Sequence, residues 1–262
     1  MGLEDKVVVV TGAARGIGFA TVELAARLGA RPVLCDLEPS AVGRAVDQLA
    51  ESGVNALGLV GDVSSPGDVR ANADEVMDKC GRVDVLVNNA GTHTTTPARD
   101  LTEKHWRREV DVCMTGSFLW AQAVAVRSMI PNRTGSIVNL GSGASLAALP
   151  NSASYVSAKH GLVGLTRALA VDWAQYNIRV NCVCPGFTWT DLSRSVMEAN
   201  PDVMRQRIDR IPLGAGAQPE DIARAIIFLA SDERAGAISG VALPVDGGTA
   251  ALLSGYSAPH DK

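Results

Sequence analysis

Tyr155 and Lys159 stand one turn apart in the helical pattern Tyr155–Tyr176, so both project from one face. An ammonium beside a phenol favours the phenolate, and such a tyrosine can take the proton from an alcohol or return it to a carbonyl. A Tyr-x-x-x-Lys pair alone occurs by chance in many surface helices, so it needs company. A second group lies near the start, where the apolar run Val7–Val10 leads into Thr11-Gly12-Ala13-Ala14-Arg15-Gly16-Ile17-Gly18 and then a helical pattern. Gly12 permits a tight turn, while Gly16 and Gly18 let the backbone approach a pyrophosphate, whose charge suits the free N–H groups of the helix start. Strand, glycine turn and helix in succession are the context a dinucleotide needs.

Other residues follow the ends of strand-like runs. Asp36 is placed to accept hydrogen bonds from an adenosine ribose and would repel a 2′-phosphate. Arg15 points the other way, since a cation beside the glycines suits that phosphate. Asp36 outweighs it, because a buried like-charge clash costs more than a mobile exposed arginine gains. NAD is therefore expected over NADP. Asp62 and Val63 are placed to touch an adenine, although Asp62 suits a helix cap equally well. In Asn88-Asn89-Ala90-Gly91 the small residues allow a close approach to the cofactor, and the amides can satisfy loop backbone.

Together, Thr11-Gly12-x-x-x-Gly16-x-Gly18, Asn88-Asn89-Ala90-Gly91, Ser142, Tyr155-x-x-x-Lys159 and Pro185-Gly186 resemble the short-chain dehydrogenase/reductase family in order and spacing, over about residues 5–248. The glycine spacing is similar to that of the short single-domain branch. The resemblance implies that Ser142 hydrogen-bonds the substrate oxygen and steadies its developing charge. Ser145 is a nearby competitor that lies off the family spacing. It also implies that Tyr155 and Lys159 contact the cofactor, Lys159 through the nicotinamide ribose, and that Thr190 holds the carboxamide. Pro185 and Gly186 belong to the same cofactor loop, and Thr188 stands there where the family often has an aliphatic residue. One departure concerns the proton route. Taking Trp106 and Gly116 as anchors, the family's usual asparagine, thought to hold a water between lysine and solvent, is Cys113 here. A thiol replaces an amide poorly. The expectation is that Cys113 slows or reroutes the relay without abolishing hydride transfer; its plain alternative is a small buried helix residue.

These residues need a scaffold that delivers them to one edge. Short β-branched runs at Val7–Val10, Val33–Cys35, Ala56–Gly61, Val85–Asn88, Ser136–Leu140, Val180–Cys184 and Val241–Val245 alternate with helical patterns at Gly16–Leu28, Pro39–Glu51, Pro66–Cys80, Thr102–Met129, Tyr155–Tyr176 and Pro219–Leu229. That alternation predicts an α/β fold: a doubly wound, parallel, seven-stranded sheet of Rossmann type with helices on both faces and ligands beyond the strands' carboxyl ends. No linker or repeat divides the 262 residues, so a single domain is expected over 1–262. The polar segment 190–212 breaks the rhythm, either as an insertion that folds over substrate or as a surface helix. His93, Leu146, Asn151, Trp189, Leu192 and Met197 are pocket candidates that suit a ring alcohol, diol, sugar or steroid without choosing among them.

The formal net charge of −4 gives no electrostatic case for nucleic acid, so the expected partner is a small alcohol or ketone. The acidic start does not read as a secretory signal, and no apolar run is long enough to span a membrane. Five cysteines (35, 80, 113, 182 and 184) without a CxxC pair argue against disulfides and zinc, which suits a cytoplasmic setting. The family commonly forms tetramers, so a homotetramer is expected. Three functions compete: an NAD-dependent secondary-alcohol dehydrogenase, an NADPH-dependent 3-oxoacyl carrier reductase, and a regulator that binds NAD(H) without catalysis, suggested only by Cys113.

Overall fold

Val7–Thr11 forms β1 at the middle of the sheet because its run of β-branched residues has helices to cover it on both sides. Val7 and Val9 pack into one apolar core, and Val8 and Val10 into another on the opposite face. We describe the chain from a computed structural model, which covers residues 2–190, 193 and 201–253. The other strands are β2 (Arg31–Asp36), β3 (Leu57–Val60), β4 (Val85–Asn88), β5 (Gly135–Leu140), β6 (Ile178–Pro185) and β7 (Ala242–Val245). All are parallel, in the order β3-β2-β1-β4-β5-β6-β7. The order reverses on either side of β1, between β1 and β4, and the carboxyl ends there open the crevice where such sheets bind ligands. This is the single-domain Rossmann architecture expected.

The helices are α1 (Gly16–Arg27), α2 (Pro39–Glu51) and α3 (Pro66–Cys80), with prolines opening α2 and α3 at positions whose N–H needs no partner. The pattern Thr102–Met129 is not one uniform helix. Thr102 Oγ1 accepts from His105 N at 3.2 Å and starts α4 (Glu103–Val110), which widens into a π turn, Asp111–Thr115, before α5 (Gly116–Val124). A second π turn, Ala125–Met129, precedes the short α6 (Ile130–Asn132). Pro131 has no N–H to give and crowds the carbonyl a turn earlier, which accounts for the second widening. The helix α7 runs Ala153–Asp172, so it begins before Tyr155, and a tight turn, Ala174–Tyr176, ends the pattern.

Within 190–212 the described part holds α8 (Pro201–Ile208). It is followed by α9 (Pro219–Ala230) and α10 (Asp232–Ala235). The five cysteines are free thiols; Cys182 and Cys184 lie side by side on β6 with sulfurs 3.8 Å apart. Among the described residues no helix is long and apolar enough to cross a membrane.

Candidate active site

The loops after β1 and β4 are fastened to each other. Thr11 Oγ1 accepts from both Asn89 N and Ala90 N at 3.1 Å, and Asn89 Nδ2 donates to Thr11 O at 2.8 Å and Gly12 O at 2.7 Å. Thr11 heads the glycine motif in the sequence, and its hydroxyl is the hub of this junction. Gly18 also has a packing reason to be glycine. A Cβ there would lie 2.4 Å from Gly12 O and 2.6 Å from Asn89 Nδ2. Gly16 differs: it has a φ of +58°, and a Cβ there would meet only Thr190 Cγ2, at 3.9 Å. Its outer side is open, and Arg15, at the head of α1, caps that helix with no side-chain bond. The first N–H groups of α1, which lack partners within the helix, begin beside this open side and an exposed arginine, a fitting seat for a pyrophosphate. Ile17 packs into the core behind them.

Asp36 closes this end. Its Oδ2 accepts from Ala14 N at 3.0 Å and its Oδ1 from Leu37 N at 2.8 Å, which orients the carboxylate against the glycine turn. Asp62 accepts from Ser64 N and Ser64 Oγ and forms an ion pair with Arg108 at 2.8 Å. Burial alone would raise its carboxyl, but the Ser64 and Arg108 bonds hold it below the usual range. Asp62 does not cap α3; Ser65 does, accepting from Asp68 N at 3.3 Å. The Val63 side chain is buried in the core, against Gly116.

At the other end Lys159 is buried, 3% exposed, and donates to Leu140 O at 2.6 Å. Its ammonium lies 5.7 Å from the centroid of the Tyr155 ring. Burial disfavours the charge, whereas the Tyr155 phenolate and, further, the thiolates of Cys113, Cys182 and Cys184 favour it; the balance raises Lys159 above the ordinary lysine value. Ser142 heads the short turn Gly143–Ser145, which packs on α7. Its Oγ accepts from Ala144 N at 3.1 Å, and its own proton is uncommitted among the described residues. Ser145 is buried, and its Oγ accepts from Ser142 N at 3.1 Å, so it supports Ser142 rather than competing with it.

Cys113 lies in the π turn, fully buried, and its thiol is engaged with one residue: it accepts from Thr92 N at 3.4 Å and donates to Thr92 O at 3.3 Å. Gly91 sits between, its Cβ position 3.7 Å from both Cys113 Sγ and Lys159 Nζ. The thiol therefore ties down the loop after β4. Glu109, one turn earlier, is a buried carboxylate that the sequence, reading Arg107-Arg108-Glu109, presents as part of a solvated face. It accepts from Thr94 N and from Ser154 Oγ.

Of the pocket candidates, His93 lies against Tyr155 with ring centroids 4.5 Å apart. Leu146 is exposed after the Ser142 turn, and Asn151, left-handed with φ +55°, gives its carbonyl to Thr96 N at 2.7 Å. Trp189 packs edge-on against Phe187 and donates its backbone N–H to Ala217 O at 2.8 Å. Thr188 bridges Ala217, and Thr190 exchanges bonds with Ser193 above Gly16. Pro185 ends β6 and Gly186 fits closely against Asp246. Leu192 and Met197 lie outside the described residues.

Comparison with known proteins agrees with this geometry. A family profile described as enoyl-(acyl carrier protein) reductase matches residues 12–250. The chain is 37% identical over 253 residues to 2-(S)-hydroxypropyl-CoM dehydrogenase 3 of Xanthobacter autotrophicus, covering 95% of this chain and 98% of that one. Identity to D-threitol dehydrogenase of Mycolicibacterium smegmatis is 37% over 247 residues, 94% and 93% of the two chains. The crystal structure of levodione reductase matches with a TM-score of 0.89 at 30% identity, over 96% of this chain and 100% of that one. The chain belongs to the short-chain dehydrogenase/reductase family, whose members are oxidoreductases that use a nicotinamide cofactor.

Proposed function

We propose that the chain is an NAD-dependent dehydrogenase of secondary alcohols and the corresponding ketones, with Tyr155 as general acid and base. The observation that carries this reading is the buried Lys159 ammonium beside Tyr155, with the uncommitted Ser142 hydroxyl on the adjoining turn. Ser142 Oγ donates to the substrate oxygen and holds it as its charge develops. Tyr155 Oη takes the hydroxyl proton in oxidation and returns it in reduction. Lys159, aimed by Leu140 O, keeps a positive charge beside the phenolate. When bound, a nicotinamide dinucleotide supplies the hydride acceptor or donor. Gly12, Gly16 and the start of α1 suit its pyrophosphate, Asp36 its adenosine ribose, Asp62, the Val63 backbone, Ala90 and Gly91 its adenine side and nearby ring, and Thr188 and Thr190 its far end.

Asp36, fixed by two backbone N–H groups, supports NAD over its 2′-phosphorylated form. A second reading, an NADPH-linked 3-oxoacyl carrier reductase, draws on the exposed Arg15 and on the description of the matching profile. Initial rates with both cofactors over cyclic alcohols, diols and sugars, and over a 3-oxoacyl thioester, decide between them. A clear preference for NAD with an alcohol, reversed toward NADP by Asp36→Ala, is expected; efficient NADPH-linked thioester reduction alone overturns the reading. The free cysteines support a cytoplasmic setting, and the exposed Phe118, Val126 and Val171 on α5, the following turn and α7 support a homotetramer.

A further inference from the structure

The loop after β4 is built more firmly than cofactor binding requires. Its alternate amides are all engaged: Thr92 N with Cys113 Sγ, Thr94 N with the Glu109 carboxylate, and Thr96 N with Asn151 O. Glu109 also accepts from Ser154 Oγ, beside Tyr155, so one buried carboxylate fixes this loop to the first turn of the tyrosine helix. The residue so placed is His93, whose ring is tilted 39° against that of Tyr155 at 4.5 Å.

The hydrogen bonds around His93 favour one tautomer. Ser152 Oγ donates its only proton to Pro150 O at 3.0 Å, so toward His93 Nε2, also at 3.0 Å, it can only accept. That pairing favours the neutral tautomer with its proton on Nε2 and a lone pair on Nδ1. No hydrogen bond among the described residues uses Nδ1. An acceptor on a ring that lies against Tyr155 suits a donor on the substrate.

We propose that His93 Nδ1 accepts a hydrogen bond from a second substrate hydroxyl, which makes vicinal diols and polyols the preferred alcohols of this site. The inference rests on the dehydrogenase reading above. A ketone, ether or carboxylate oxygen brings no proton to that nitrogen, and a mono-alcohol has no second hydroxyl to offer it; His93 is exposed, so a diol's hydroxyl takes the place of water there.

The test compares kcat/KM for vicinal cyclohexanediol and for cyclohexanol in the wild type, His93→Phe and His93→Leu. The phenylalanine keeps a ring against Tyr155 and removes the nitrogen. The wild type is expected to prefer the diol by about tenfold, and both variants are expected to lose about tenfold more kcat/KM on the diol than on cyclohexanol. An unchanged preference in the variants, or none in the wild type, overturns the proposal. Equal loss of both alcohols in both variants makes His93 a support for Tyr155 and also overturns it. Oxidation of neither alcohol by the wild type, with NAD or NADP, defeats the underlying dehydrogenase reading and this inference with it.

Discussion

Lys159 is a buried cation whose charge is retained because its neighbours, when ionised, are negative. Its value is raised above the ordinary 10.5, so the favourable charge is present throughout the range below that and is lost only as pH climbs through the raised folded value. A fall in activity on the acid side therefore belongs to another group. Lys159→Met, which fills the same space without charge, is expected to lower turnover about a hundredfold or more while the melting temperature moves little, read by steady-state rates and thermal melting. Cys113 is the other informative residue. Its thiol is spent on Thr92, so any proton route past it uses other atoms. Cys113→Asn is expected to alter the pH profile of kcat; an unchanged profile and turnover would show that the relay does not depend on this position.

At the scale of elements, α4, the loop after β4 and the start of α7 meet at Glu109. Glu109→Ala leaves Thr94 N–H and Ser154 O–H without their acceptor; Thr94 is exposed and can turn to water, whereas the buried Ser154 hydroxyl left unpaired costs about 1–3 kcal/mol. The melting temperature should drop by several degrees, and Glu109→Gln, which keeps an acceptor, should recover part of it. Asp62 and Arg108 join the loop after β3 to α4. Because the Asp62 carboxyl is held low in the fold, its contribution is present above the ordinary 3.8 and fades as pH falls through the lowered folded value. Arg108→Ala should therefore narrow the acid side of a stability-against-pH curve measured by thermal melting. The strands were legible because β-branched runs covered on both faces leave a nearly uninterrupted apolar signal, as at Val7–Thr11 and Val85–Asn88. The π turns were not, since Asp111–Thr115 differs from an ordinary helix in hydrogen bonding rather than in residue pattern. Glu109 was hidden because a glutamate after two arginines reads as solvated until the loop that covers it is seen.

For the molecule as a whole, the glycine turn, Asp36, Tyr155 and Lys159 could be placed from the sequence because each follows a strand end or shares a helix face. The clamp of Asn89 on Thr11 and Gly12 joins parts of the chain that only the sheet brings together. Assembly is a separate matter. Val126 and Val171 are 59% and 77% exposed, and Val126→Glu is expected to shift the proposed tetramer toward smaller species in light scattering after gel filtration. The proposed reaction is hydride transfer governed by Tyr155. Incubation with NAD and a vicinal diol deuterated at its carbinol carbons should give deuterated NADH and ketone with the wild type, and Tyr155→Phe should bind NADH as well yet form product at least about a hundredfold more slowly. Deuterium transfer at the same rate in Tyr155→Phe, or none in the wild type with any secondary alcohol, would contradict it.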